Sequence, residues 1–160
     1  MGMTETLEIK LLTECREHIP YLAHLWFNEI SKHWVPDAHI DRNHQNLIKH
    51  ANRNSMPMTF VAFSNNKPVG MASLRENDGI QPDLIPWLGS LVVDPAHRKC
   101  KVGETLIEAI KTQARVFGHE KIYLLAFDHT IPMWYAKLGW KEIGKDILFG
   151  SPVTVMDYSL

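Results

Sequence analysis

Apolar and polar positions along this chain recur at two spacings, one suited to strands and one to helices. A first strand is predicted over Leu7–Leu12. A helix follows near Ile19–Trp34, because Ile19, Leu22, Trp26 and Ile30 return at steps of three and four and so share one helical face. Pro36 ends it, and a more polar helix is predicted from Asp41 to Ala51 with Asp41 as its N-cap. Met58–Phe63 and Val69–Leu74 read as a hairpin, since Asn65-Asn66-Lys67-Pro68 between them are residues that turns favour. A loop rich in Asp, Gly and Pro (Asn77–Pro86) leads into Trp87–Val93, an almost unbroken apolar run of the kind a buried strand shows, closed by Asp94-Pro95. Val102, Leu106, Ile110, Ala114 and Phe117 then follow helical periodicity, with Gly118 as the stop. Lys121–Phe127 is a further strand, Pro132–Leu138 a short helix, and Trp140–Ile143 and Val153–Tyr158 the last strands.

Strands and helices therefore alternate around one mixed sheet, an α/β or α+β fold without a second domain. The 160 residues suffice for one proper core, and an apolar fraction of 45% with 22% charged residues is ordinary for a globular chain. A net charge of −1 gives no overall field that would draw nucleic acid or an anionic membrane, so any basic patch must be local. Cys15 and Cys100 form no C-x-x-C pair, which suits a reducing compartment, and cytoplasmic is the expected location. No apolar run reaches the length of a membrane span. Met1-Gly2-Met3-Thr4-Glu5-Thr6 fits the residue pattern for N-myristoylation, but Met3 reads as the natural start.

The local basic patch is His97-Arg98-Lys99-Cys100-Lys101-Val102-Gly103-Glu104, set between a buried strand and a helix. The first turn of a helix carries unpaired N–H groups and a partial positive charge, and so holds phosphate. Arg98, Lys99 and Lys101 add formal charge, and Gly103 lets the backbone approach an anion. On these features alone a phosphate site and a solvated basic loop are equally good readings.

The wider pattern separates them. Leu91-Val92-Val93-Asp94-Pro95-Ala96-His97-Arg98-Lys99-Cys100-Lys101-Val102-Gly103-Glu104-Thr105-Leu106 resembles the hallmark of the GNAT superfamily of N-acetyltransferases: a strand ending in Val-x-Pro, then Arg/Gln-x-x-Gly-x-Gly/Ala and a helix. Further on, Trp134-Tyr135-Ala136-Lys137-Leu138-Gly139-Trp140 resembles the family's second hallmark, an aromatic-Tyr-x-x-x-Gly-aromatic segment. The two stand in the family's order and spacing, and the resemblance spans roughly residues 58 to 158. It departs at Lys101, where the family usually has its first glycine. If the backbone there needs positive φ, a Lys costs about 1–2 kcal/mol.

The resemblance implies a mostly antiparallel sheet with a splayed central strand pair, flanked by helices on both faces, and acetyl-CoA as cosubstrate. It implies that Leu91, Val92 and Val93 meet the pantetheine and thioester through their main chain, with the end of Lys121–Phe127 across the splay. Arg98, Lys99, Cys100, Lys101, Val102, Gly103, Glu104 and Thr105 would hold the pyrophosphate. The acceptor would be a primary amine of a small molecule, peptide or protein, and homodimers are common for the fold. Tyr135 matches the general acid that protonates the departing sulfur, and a phenol with pKa about 10 keeps its proton at neutral pH.

Family members often place a Glu on the strand before the turn, whereas this chain has Leu88-Gly89-Ser90. Glu76, Asp78 and Asp83 from neighbouring segments, Glu29 and His33 on the first helix, and His129 are alternative bases. The rival reading, motivated by Lys101 and the missing carboxylate, is a domain that binds or senses acyl-CoA without turnover and serves as a protein-interaction module. Nine histidines do not make a metal site, since His33, His39, His44 and His50 give no i, i+4 pair and no H-E-x-x-H occurs. An acyl-Cys100 intermediate is conceivable chemically, but the resemblance implies direct transfer. Trp26, Phe27 and Trp34 could line an acceptor pocket or simply pack in the core. Neither a nucleophile elbow nor a P-loop is present.

Overall fold

The computed structural model describes residues 6–160, so the myristoylation-like Met1–Glu5 lies outside the described residues. Strand β1 (Leu7–Leu11) is followed by two short 3-10 turns and helix α1 (Ile19–Trp26). A π-helical turn over Phe27–Ser31 joins α1 to a last turn, α2 (Lys32–Trp34), before α3 (Ile40–Lys49). The hairpin β2 (Met58–Ser64) and β3 (Lys67–Arg75) precedes β4 (Trp87–Val93), α4 (Val102–Val116), β5 (Lys121–Ala126), α5 (Ile131–Lys137), β6 (Lys141–Leu148) and β7 (Ser151–Ser159). The seven strands form one sheet in the order β1-β2-β3-β4-β5-β7-β6. All neighbours are antiparallel except β4 and β5.

Both faces of the sheet are covered, which is why β2 and β3 read as continuous apolar runs. In β2, Val61 and Phe63 join Leu22, Trp26 and Leu47 on the α1/α3 side, while Met58 and Ala62 join Leu106, Ile110 and Ala114 of α4. The alternation is the two-residue period of a strand with a helix layer on each side. Gly70 lets α4 press onto β3: a Cβ there would lie 2.8 Å from the Val92 carbonyl oxygen and 3.2 Å from Val102.

Three expectations need correction. The N-cap of α3 is His39, not Asp41; His39 is extended and its Nδ1 accepts from the Asp41 N–H at 3.1 Å. Asp41 already lies in the first turn, where its charge favours the helix dipole. The predicted Ile19–Trp34 helix is not one regular helix, since its middle widens into the π-turn. β6 starts after Trp140 and runs to Leu148, well beyond Ile143. It is an edge strand whose Ile143 and Ile147 face solvent, so burial does not write an alternation into its sequence.

Candidate active site

The site begins with an irregularity in β4. Met71 pairs with Val92 and Ser73 with Gly89, so Ser90 and Leu91 together face one residue of β3. This is a β-bulge, and Ser90 adopts φ +51° within it. The bend carries β4 away from β5. The two strands are in register only at Trp87↔Tyr123, and beyond that point the β5-side edge of β4 has no partner strand among the described residues. A cleft of about 1220 Å³ fills the gap, lined by Leu91–Val93 on one side and Leu124–Phe127 on the other. Trp34 of α2 stacks on Phe127 with ring centroids 5.3 Å apart and links the α2 turn to the end of β5.

At one end of this cleft stands the start of α4. Lys99 and Lys101 both take left-handed backbone, with φ +66° and +64°. Among the described residues no side chain caps the helix, so its first N–H groups keep no side-chain acceptor there. That is the donor set a pyrophosphate needs, and coenzyme A fits it: Arg98, Lys99, Lys101, Val102, Gly103 and Glu104 all line the cleft. Cys100 and Thr105 do not. The Cys100 side chain is exposed, and the Thr105 hydroxyl donates back to the Lys101 carbonyl at 2.7 Å, inside the helix turn.

Gly103 has a role beyond the one its sequence position suggested. A Cβ there would lie 3.1 Å from the tip of the Trp134 ring, so this glycine seats α5 against α4. The Arg98 guanidinium, besides lining the cleft, is engaged through one of its nitrogens. It donates to the Glu29 carboxylate at 2.7 Å and ties the basic turn to the π-turn. Tyr21 holds the same region from α1, donating to Asp94 at 2.9 Å.

Tyr135 lies on α5 with its ring packed edge-on between Trp134 and Trp140, at centroid distances of 4.9 and 5.7 Å. It lines the cleft. Burial raises its pKa above the usual phenol value, so the proton stays on the oxygen through the neutral range.

Among the alternative bases, the structure brings Glu29, Glu76 and Asp78 to the cleft and leaves Asp83, His33 and His129 out of its lining. His33 meets the Asn28 carbonyl instead, and His129 is almost wholly exposed. Two residues the sequence did not mark line the same cleft as Asp78. Arg75, at the end of β3, donates to Asp78 at 2.8 Å and to the Ser90 hydroxyl, with its guanidinium 5.4 Å above the Trp26 ring. His50, at the end of α3, is buried against Trp26, and its pKa is driven down to about 3 by burial and then by the Arg75 charge. Only the cleft makes Arg75 recognisable, because in sequence it is one more strand-end cation. Among the described residues no three His, Cys, Asp or Glu side chains converge as a metal site would require.

A parallel strand pair splayed over an uncapped, lysine-flanked helix start, with a buried phenol in the same cleft, is the architecture of an acyltransferase. The profile of the Acetyltransferase (GNAT) family matches residues 19–140, and the chain belongs to that family. Among curated proteins none matches the sequence. Solved structures share the fold over nearly the whole chain. An acetyltransferase from Streptococcus agalactiae is 21% identical with a TM-score of 0.73, over 96% of this chain and 98% of that one. A GNAT-family acetyltransferase from Staphylococcus aureus is 19% identical with a TM-score of 0.74, over 96% and 99%. An aminoglycoside 6'-N-acetyltransferase complexed with coenzyme A is 18% identical with a TM-score of 0.73, over 95% and 96%. Among the described residues no helix is long and apolar enough to cross a membrane.

Proposed function

We propose that this chain moves an acetyl group from acetyl-CoA to a primary amine of a small molecule, peptide or protein by direct attack, as a single-domain cytoplasmic enzyme. The observation that carries the reading is the shared cleft: the uncapped start of α4, the unpartnered edge of β4 and Tyr135 all face it. Acetyl-CoA supplies an activated acyl thioester. The protein's own part is to hold and to place protons. The N–H groups at the start of α4, with Lys99 and Lys101, grip the pyrophosphate. Main-chain groups of Leu91, Val92 and Val93 orient the pantetheine arm along the strand edge, which fixes the reacting centre and removes most of the entropic part of the barrier. Tyr135 gives its proton to the departing sulfur.

Titration calorimetry with acetyl-CoA and with coenzyme A tests the binding half, and absence of binding at millimolar ligand rejects it. Thiol release across a panel of amines tests turnover. Tyr135→Phe is expected to lower kcat by about 10²–10⁴-fold with acetyl-CoA affinity retained. Binding without turnover of any amine would favour a sensing or interaction role.

A further inference from the structure

The transfer proposed above needs a group that takes a proton from the incoming ammonium, and β4 carries no carboxylate. We propose that Asp78, in the loop between β3 and β4, is that proton acceptor, positioned by Arg75 and admitted to β4 by the missing side chain of Gly89. The assignment rests on the acetyltransferase reading.

Asp78 lines the same cleft as Tyr135 and Leu91. Its Oδ1 accepts from Arg75 Nη1 at 2.8 Å. A Cβ on Gly89 would lie 3.1 Å from that oxygen and 3.1 Å from Arg75 Nε, so a side chain at this position would crowd both groups and force each to shift by a few tenths of an ångström. The bulge turns the Ser90 hydroxyl onto the other guanidinium nitrogen. The Gly-Ser pair that leaves β4 without an acid is thus what lets a loop carboxylate stand against the strand.

The other acids on the cleft stand away from the bulged strand. Glu29 is paired with Arg98, Asp128 accepts from the N–H and hydroxyl of Thr130, Glu76 faces solvent, and Glu104 lies in the first turn of α4, at the phosphate end of the cleft. Around Asp78, Arg75 supplies the positive charge from β3, with Glu76 next in the chain. On the far side of Arg75, His50, from the end of α3, is held neutral by burial and by the same guanidinium. Trp26 of α1, Gly89 and Ser90 of β4 and Leu148 of β6, which lies over Gly79, are uncharged. Burial lifts the Asp78 carboxyl to about 6, with Arg75 opposing part of the rise. Such a group is ionised at neutral pH and more basic than an ordinary carboxylate.

The step balances. Asp78 takes one proton from R–NH3+, and the freed lone pair attacks the thioester carbonyl carbon. The C–N bond forms and the C–S bond breaks, the sulfur taking the Tyr135 proton. The second nitrogen proton returns to the phenolate, and Asp78 releases its own to water. Ammonium and thioester become amide, thiol and one proton.

The test compares wild type, Asp78→Asn and Arg75→Gln with the fastest amine among spermidine, kanamycin and a lysine-containing peptide. The wild-type kcat/KM is expected to rise with pH through about 6. Asp78→Asn should lose about 10²–10³-fold at pH 7 and lose that acid limb, while staying folded at pH 7 and binding acetyl-CoA as wild type does. Arg75→Gln should move the limb to higher pH, because a cation that favours the carboxylate is gone. Carboxyl ¹³C titration of Asp78 by NMR, which needs no turnover, should show its transition near the same pH. An acid limb that survives in Asp78→Asn, or an Asp78 carboxyl that titrates near an ordinary Asp, overturns the assignment and leaves the acetyltransferase reading standing. Failure of the wild type to bind acetyl-CoA overturns both.

Discussion

At the scale of single residues, Lys101 shows how one position trades stability against charge. Its φ of +64° is a conformation that an L side chain disfavours by about 1–2 kcal/mol, and a glycine would take it freely. Keeping a lysine there adds a cation one residue before the first N–H groups of α4. Lys101→Gly is therefore expected to raise the stability by up to about 1 kcal/mol, the relief being partly offset by the greater freedom of glycine in the unfolded chain. It should also weaken coenzyme A binding and flatten its dependence on salt. Denaturant unfolding and calorimetry at two ionic strengths check the two halves, and a loss of stability would show that the side chain makes a contact worth more than the strain.

At the scale of elements, the packing of α5 on α4 is set by one absent methyl group. The Trp134 ring lies over Gly103, where a Cβ would approach within 3.1 Å. Trp134 is also the edge-on neighbour of Tyr135. Gly103→Ala should push the ring outward, cost about 1–3 kcal/mol as overpacking does, and lower kcat by displacing Tyr135. Pairing it with Trp134→Phe, which shortens the ring, should restore much of the lost stability. Additive losses in the double-mutant cycle would refute the contact as the cause. The π-turn belongs to the same scale. It places Glu29 opposite Arg98, residues 69 positions apart, and so joins the end of α1 to the basic turn before α4.

For the molecule as a whole, the cleft between the two halves of the sheet stores opposed titrations. His50 has its pKa lowered to about 3 from an ordinary 6.5, so its contribution to stability is full above 6.5 and is lost as pH falls toward 3. Asp78 has its pKa raised to about 6 from 3.8, so the folded state binds the extra proton, and this contribution fades as pH rises from 3.8 to 6. The two slopes oppose each other. Urea unfolding between pH 4 and 7 should show a flatter acid loss in His50→Phe and a steeper one in Asp78→Asn; parallel curves for all three proteins would contradict both assignments.

The sequence by itself determined the kinds of element and the basic run that precedes α4. Their signals are local: apolar periodicity for the buried strands and α4, and a contiguous run from Leu91 to Leu106 in which strand, basic turn and helix follow one another. It marked Tyr135 for the same reason, since Trp134 to Trp140 is one short segment. Tertiary structure alone decided the rest. A bulge at Ser90 has no local signature, because serine rarely takes positive φ, yet that bulge opens the cleft. Arg75 and Asp78 meet β4 only where Gly89 leaves room, and Glu29 meets Arg98 only because the folded chain brings the π-turn and the basic turn together at the same cleft. Burial, which gives His50 and Asp78 their altered proton affinities, exists only when the chain has closed around them.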